Sequence, residues 1–306
     1  MKALQYEKFG EAKDVLKIVE QPIPEPSMDE VRIRVTTVGL NPMDWLIMRN
    51  PQMGAQFGVQ LPATFGYDFA GVIEKVGTHI EEYKVGDRVF GTTYKGAAAE
   101  YILVDDKVKT ENRLFHTPNE ISDEIAATLG VCGLTAAVAL RTLDLQASDT
   151  LLIGGAAGGV GTFAVQLAKL AGANVIGTSS NTTFDYLRSL GAEPVEYGDG
   201  LLERLKNINI TAVTDLFSHD TLEVGLALGI KPEKMSTIIM MPEPPAGIAR
   251  ATGGVGTKED MAHILEYIIS GDLKVPLAGN FALADYQAAV ELQASRHAHG
   301  KVIITL

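Results

Sequence analysis

A chain of 306 residues with 46% hydrophobic and 21% charged side chains is long enough for two domains and can bury a large core, which excludes a disordered protein. A formal net charge of −12 repels polyanions, so neither nucleic acid nor an acidic membrane surface is expected as a partner. One cysteine, Cys132, excludes an intramolecular disulfide framework and a cysteine-rich zinc site, and with no apolar signal core and no membrane-length apolar run the expected location is cytoplasmic.

The first hundred residues read as short strands separated by turn residues. Val31, Ile33 and Val35 alternate with Arg32, Arg34 and Thr36, the period of a half-buried strand. Further strands are predicted over Gly71–Val76, Asp87–Phe90 and Ala98–Val104, with Pro22, Pro24 and Pro26 at the entry and Gly77, Gly86, Gly91 and Gly96 at later turns. A compact β-barrel is the expected product. From Ser122, a predicted N-cap followed by Asp123 and Glu124, the pattern becomes helical. Strands and helices then alternate: Leu151–Ile153, a helix to Leu170, Asn174–Thr178, a helix from near Phe184 to Leu190, Pro194–Tyr197, Ala212–Phe217 and Ser236–Met240. Such alternation predicts an α/β fold with a parallel sheet covered on both faces. After a helix over Met261–Ser270 the chain returns to short apolar strands, ending on Val302–Thr305. The expected organisation is a first domain over 1–121, a dinucleotide-binding domain over 122–270, and a return to the first domain over 271–306.

The stretch Thr150–Gly161, TLLIGGAAGGVG, organises the rest. An apolar strand runs into a glycine turn, and Val160, Ala164, Leu167, Ala168 and Ala171 give the following helix one apolar face, with Gly172 as its stop. Ala157, Gly158, Gly159 and Val160 are the expected cofactor-binding residues, because such a turn lets a pyrophosphate approach the N–H groups at the positive end of the helix. Ala156 stands where the fingerprint has its first glycine, and an ordinary strand-to-helix turn also fits. The end of the next strand separates the two nicotinamide cofactors. NAD-binding folds usually place Asp or Glu there, whereas this chain has Thr178, Ser179, Ser180 and Asn181, which can donate to a 2′-phosphate. NADPH is favoured over NADH. Ser180, Asn181, Thr182 and Thr183 are also candidate caps for the helix near Phe184.

Several motifs in order carry a resemblance: the opening MKALQYEKFG, Gly39-Leu40-Asn41-Pro42-Met43-Asp44-Trp45, Gly66-Tyr67-Asp68-Phe69-Ala70-Gly71, Val85-Gly86-Asp87-Arg88-Val89-Phe90-Gly91, Gly133-Leu134-Thr135-Ala136, the glycine turn, and Gly300-Lys301-Val302. With them the chain resembles the medium-chain dehydrogenase/reductases, and within them the zinc-independent quinone oxidoreductases related to zeta-crystallin. The resemblance implies a GroES-like barrel split by a Rossmann domain, an active site in the cleft between them, and a homodimer joined through the edges of the Rossmann sheets. Zinc-dependent relatives carry Cys where Asn41 stands, His where Tyr67 stands and Cys about where Cys132 stands. Asp68 and Cys132 alone are too few ligands for zinc, and only Thr92-Thr93-Tyr94-Lys95 fills the place of the four-cysteine lobe.

The implied activity is delivery of a hydride from NADPH to a small molecule that is already electrophilic, a quinone or an α,β-unsaturated carbonyl. Asn41, Tyr67 and Tyr94 are the implied catalytic residues, with Tyr67 the best candidate for proton donor. Asn41, Thr135, Gly158, Gly159, Val160, Ser179, Tyr197 and Lys301 match positions that touch the cofactor, and Ser180 and Asn181 are expected beside Ser179. Asp44 and Asp68 are expected to make structural hydrogen bonds. Cys132 is expected to be a small buried hydrophobe. The chain departs from its relatives at Leu46, where Lys is common, and at Phe217-Ser218-His219-Asp220. Met241–Lys258 is expected to be a loop over the cleft. Its Gly253-Gly254-Val255-Gly256 is read as a false match to the phosphate loop, because no strand is predicted before it. His297 and His299 are expected to form a polar turn before Gly300. A 2-enoyl-thioester reductase, for which Arg49 is the one basic residue available to a coenzyme tail, and a non-catalytic NADPH-binding protein are the alternatives.

Overall fold

The computed structural model describes residues 1–105, 113–240, 242–296 and 298–306. Met241, the first residue of the predicted loop, and His297 lie outside the described residues. The chain divides into two units, Met1–Val131 with Leu277–Leu306, and Cys132–Pro276. Among the described residues, no helix is long and apolar enough to cross a membrane.

In the first unit, strands β1 (Lys2–Tyr6), β2 (Leu16–Glu20), β3 (Glu30–Leu40), β4 (Ala63–Thr64), β5 (Asp68–Val76), β6 (Arg88–Thr92), β7 (Tyr101–Asp105) and β8 (Arg113–His116) form two sheets. β1 pairs with β2 and β4 in the smaller one. The predicted strand from Ala98 starts later, at Tyr101, because Ala98 and Ala99 are drawn to the smaller sheet: Leu4 N–H donates to Ala98 O at 2.7 Å and Ala98 N–H to Phe65 O at 2.8 Å. The larger sheet is organised on β3, which pairs antiparallel with β5 and β7. The first half of β3 alternates as predicted, with Val31, Ile33 and Val35 buried, whereas Thr37–Leu40 are buried without alternation. The second half is covered on both faces: Gly39 comes so close to the chain after the Ser122-capped helix that a Cβ there would stand 1.9 Å from Ala127 O. That helix is one short turn, Asp123–Ala126, with Ser122 Oγ accepting from Ile125 N–H at 3.4 Å. Asp123 is held by Thr36 and Arg88 at 2.7 and 2.6 Å. A longer helix resumes at Gly130–Thr142.

In the second unit, β9 (Thr150–Gly154), β10 (Asn174–Ser179), β11 (Glu193–Glu196), β12 (Ala212–Asp215), β13 (Met235–Thr237) and β14 (Ala249–Arg250) lie in the order β11-β10-β9-β12-β13-β14. Every pairing is parallel. This is the doubly wound order of a Rossmann sheet, and the chain changes direction across the sheet between β10 and β12, on either side of β9. Leu152, Ile176, Val213, Leu222 and Met235 pack together in its core. β12 ends two residues before its predicted end at Phe217, because the Asp215 carboxylate accepts the N–H groups of Phe217, Ser218 and Thr221 at 2.9–3.0 Å and turns the chain. β13 also stops early, where Thr237 Oγ1 donates to Asp215 O and accepts from Ile239 N–H. A short strand, β14, does precede Gly253, contrary to expectation. The glycines there form a 3₁₀ turn over Gly253–Val255, and the helix Lys258–Ser270 starts only at its N-cap Thr257.

The chain then returns to the first unit through β15 (Leu277–Ala282) and β16 (Lys301–Thr305). β16 pairs with β3 antiparallel, Val302 opposite Leu40. Between them lies a helix, Tyr286–Ala294, where only strands are predicted. Its buried apolar side chains, Ala289 and Val290, are too few for a clear helical stripe in the sequence.

Candidate functional site

Four neighbouring strands of the first unit bring polar side chains to one buried point. Register aligns Gly39 of β3 with Asp68 of β5, and Asp68 with Thr92 of β6, while β16 carries Lys301 alongside the end of β3. Lys301 Nζ donates to Leu40 O at 3.1 Å and to Asn41 Oδ1 at 2.6 Å. Asn41 Nδ2 donates to Asp68 Oδ2 at 2.9 Å and to Gly39 O at 3.5 Å. Asp68 Oδ1 accepts from Thr92 Oγ1 and Val131 N–H, each at 2.9 Å. Lys301, Asn41, Asp68 and Thr92 are 3, 1, 0 and 5% exposed. The Asn41 amide thus bridges a buried ammonium and a buried carboxylate, and a substrate oxygen at this amide would have to displace one of those bonds.

Asn41 is also the N-cap of the helix Pro42–Arg49, where Pro42 suits the first position because no N–H is needed there. Three residues on, Asp44 Oδ2 accepts the Asn41 N–H at 2.7 Å. Asp44 Oδ1 is buried and has no hydrogen-bond partner among the described residues. Burial pushes the Asp44 carboxyl well above the usual carboxylate range, the Asn41 N–H opposes the shift, and Asp68 adds to it. Burial pushes Asp68 up as well, against Lys301 and its hydrogen-bond donors. Asp68 has more donors and a bridged counter-charge to support its ionised form than Asp44 has.

Beside this cluster the rings of Tyr67 and Tyr94 lie 5.4 Å apart, and Tyr94 stacks on Phe57 at 6.2 Å. The structure therefore joins the two tyrosines singled out from the sequence. The Tyr67 hydroxyl is held far above the ordinary tyrosine value, first by burial and then by Asp44. Tyr6 is pushed up to about 12 by the same two causes. Sequence reasoning gave Asp44 and Asp68 structural bonds but missed that Lys301 and Asn41 meet.

In the second unit the glycine turn joins β9 to the helix Gly159–Leu170. Gly155 turns with φ +69°, and its N–H donates to Thr178 Oγ1 at 3.1 Å while Ala156 N–H donates to Thr178 O at 3.2 Å. Ala156 fits in place of the first fingerprint glycine because Gly177 of β10 leaves room: a Cβ on Gly177 would lie 2.7 Å from that of Ala156. At Gly161 a Cβ would stand 2.4 Å from Ala156 O, so only glycine lets the helix pack this closely. Gly158, the N-cap, supplies no side-chain cap, and the first-turn N–H groups have no acceptor within the helix. Ala157, Gly159 and Val160 are partly exposed.

Ser179 Oγ donates to Ser180 O at 3.1 Å, and the hydroxyls of Ser180 and Thr182 lie 2.8 Å apart. Asn181 opens a 3₁₀ turn and is exposed. Thr183 precedes the helix Phe184–Ser189, but its hydroxyl donates to Ser180 O instead of capping an N–H. The nearby cation, Arg188, pairs with Asp185 at 2.9 Å. Tyr197 follows β11, its N–H donating to Ser179 O at 3.3 Å, and its side chain is 58% exposed. The guanidinium of Arg204, which sequence reasoning missed, donates to the carbonyls of Glu196, Tyr197, Gly198 and Asp199. The turn, Ser179 and Tyr197 are thus tied by backbone bonds at the carboxyl ends of three adjacent strands. Thr135 and Cys132, both buried, lie on the helix Gly130–Thr142, an element outside that set. Among the described residues, no three His, Cys, Asp or Glu side chains stand together as a metal site.

Comparison with known proteins agrees with this architecture. Residues 27–113 match the alcohol dehydrogenase GroES-like domain, and residues 178–304 match a family described as zinc-binding dehydrogenase. The chloroplastic quinone-oxidoreductase QR1 of Triphysaria versicolor is 31% identical over 99% of this chain and 98% of its own. A quinone oxidoreductase of Pseudomonas aeruginosa is 30% identical over 99% of both. The structure of the quinone oxidoreductase from Coxiella burnetii superposes with a TM-score of 0.88 at 28% identity, over 100% of this chain and 99% of that one. The chain belongs to the medium-chain dehydrogenase/reductase superfamily and, within it, to the oxidoreductases of the quinone oxidoreductase family.

Proposed function

We propose that this oxidoreductase uses NADPH to reduce quinones or α,β-unsaturated carbonyl compounds, and that it does so without zinc. The observation that carries the reading is the glycine turn: a Rossmann switch point whose helix begins with an uncapped glycine, bordered by hydroxyl and amide side chains where a carboxylate would select NAD. When bound, NADPH supplies a hydride to an electrophilic centre of the substrate. The first-turn N–H groups of Gly159–Leu170 take the pyrophosphate charge. Ser179, Ser180 and Asn181 would act as neutral donors to the 2′-phosphate, and Tyr197, its carbonyl held by Arg204, would border the adenosine. Thr135 is assigned to the same cofactor.

The donors around Asp68 do not fit zinc: both carboxylate oxygens accept hydrogen bonds from the chain, and Asn41 and Tyr67 are poor zinc ligands. The substrate must therefore be electrophilic on its own. Tyr67 holds its proton across the physiological range, so it serves as a hydrogen-bond donor to the oxyanion that develops on the substrate. Asn41 has its amide fixed by Lys301 and Asp68, and it shapes the floor of that site. Arg49 pairs with Glu11 at 2.6 Å and lies over the Trp45 ring, an arrangement that speaks against a thioester tail as its partner.

The test is oxidation of NADPH, with NADH in parallel, against a quinone, a short 2-alkenal, a cyclic enone and a 2-enoyl thioester. Turnover of the quinone or an enone with NADPH preferred is the expected result, and tight NADPH binding without turnover on any of them overturns it. Tyr67→Phe is expected to lower kcat about a hundred- to a thousand-fold and leave the NADPH dissociation constant unchanged. An unchanged kcat removes Tyr67 from the mechanism.

A further inference from the structure

Parallel pairing of β9 with β12 sets Gly154 opposite Asp215, so the residues just beyond them, the glycine turn and Phe217, leave the sheet side by side. The approach is close: a Cβ on Gly155 would stand 2.7 Å from Phe217 Cβ. Gly155 is thus glycine for two reasons, its positive φ and the neighbour that occupies the space of a side chain. The Phe217 backbone is fixed from below. Asp215 is buried, and its Oδ1 accepts the N–H groups of Phe217 and Ser218 while its Oδ2 accepts that of Thr221.

Phe217, whose backbone this arrangement holds, is 56% exposed. A single exposed apolar side chain is ordinary on a protein surface. This one stands on a tied backbone at the carboxyl end of a strand beside the switch point, where a doubly wound sheet takes its dinucleotide. A flat apolar side chain there can cover a ribose or ring face of the ligand and exclude water from the neighbouring phosphate contacts, at little conformational cost.

We propose that Phe217 is a cofactor-positioning residue, its ring forming an apolar wall of the dinucleotide site next to Gly155. The proposal rests on the reading of the second unit as a nicotinamide dinucleotide site. Asp215 acts through it, as the anchor that keeps the ring in place, and has no contact of its own with the ligand.

Direct binding of NADPH and NADH to the whole protein tests this, read by the change in nucleotide fluorescence, for wild type, Phe217→Leu and Phe217→Ala. Phe217→Ala is expected to weaken binding of the cofactor about ten-fold and Phe217→Leu less, with the melting temperature of the cofactor-free protein unchanged because the ring is not in the core. Phe217→Trp adds a second tryptophan to a chain that has one, and the emission of the introduced indole is expected to be quenched as NADPH binds. Equal dissociation constants for wild type and Phe217→Ala, or an emission from the Phe217→Trp variant that ignores the nucleotide, overturn the proposal while leaving the dinucleotide reading in place. Failure of wild type to bind either nucleotide overturns both.

Discussion

Lys301→Met is expected to destabilise the protein by about 3–5 kcal/mol, the range for removing one partner of a buried charge pair. The methionine keeps the aliphatic bulk and removes the ammonium that donates to Leu40 O and Asn41 Oδ1. Asn41 Oδ1 then loses a charged donor, and Asp68, fully buried, loses its bridged counter-charge. The second half of the expectation is recovery. Asp68→Asn added to Lys301→Met removes the uncompensated anion, so the double variant should lie closer to wild type than Lys301→Met does. The measurement is the urea midpoint of wild type, the two single variants and the double variant. Additive losses would mean that Lys301 and Asp68 are energetically independent, and the bridge through Asn41 would then carry no coupling.

Asp44→Asn is expected to change the dependence of stability on pH. Asp44 is raised in the folded state by burial and by Asp68, whereas in the unfolded chain it titrates at about 3.9. Between that value and its raised one the folded state binds more protons than the unfolded state, so stability falls as pH rises through this window. Above the window the folded protein carries a buried carboxylate with one bonded and one orphaned oxygen. Asparagine keeps a carbonyl for the Asn41 N–H and does not titrate. The variant should therefore match wild type at acidic pH and exceed it by about 1–3 kcal/mol at alkaline pH. Asp68 and Asp215 are also raised, so the slope is reduced and not abolished. Melting curves across pH read the effect, and parallel profiles for variant and wild type would sink it. Because Asp44 also raises Tyr67 and Tyr6, a spectrophotometric titration should find the tyrosines ionising at lower pH in the variant than in wild type.

The parts of the fold that were legible in the sequence are those whose cause is local. Val31, Ile33 and Val35 announce β3 because a strand repeats every two residues, and the glycine turn is readable because strand, turn and helix follow one another within about twenty residues. Ala156 looked like a defect in the fingerprint because the space it uses is left by Gly177 on another strand. The end of β12 was misread because Leu216 and Phe217 continue an apolar run, whereas the carboxylate of Asp215 decides where the backbone leaves the sheet. Tyr67 and Tyr94 are named separately, and only pairing of β5 with β6, whose adjacent ends they flank, brings the rings together. Asn41 and Lys301 were each assigned to the cofactor, and no pattern in the chain tells that they bond to each other across 260 positions.

That separation has a consequence for how the chain is made. At about 5–20 residues per second, roughly ten to fifty seconds of synthesis pass between Asn41 and Lys301. Through that interval β3 lacks the neighbour that will pair with Thr37–Leu40, and Asp68 has no ammonium to balance it. The second unit, whose strands all come from one continuous stretch, carries no such delay and can fold on the ribosome while the first unit waits with its sheet unfinished. A translational pause between Pro276 and Lys301 would prolong the exposure of that sheet.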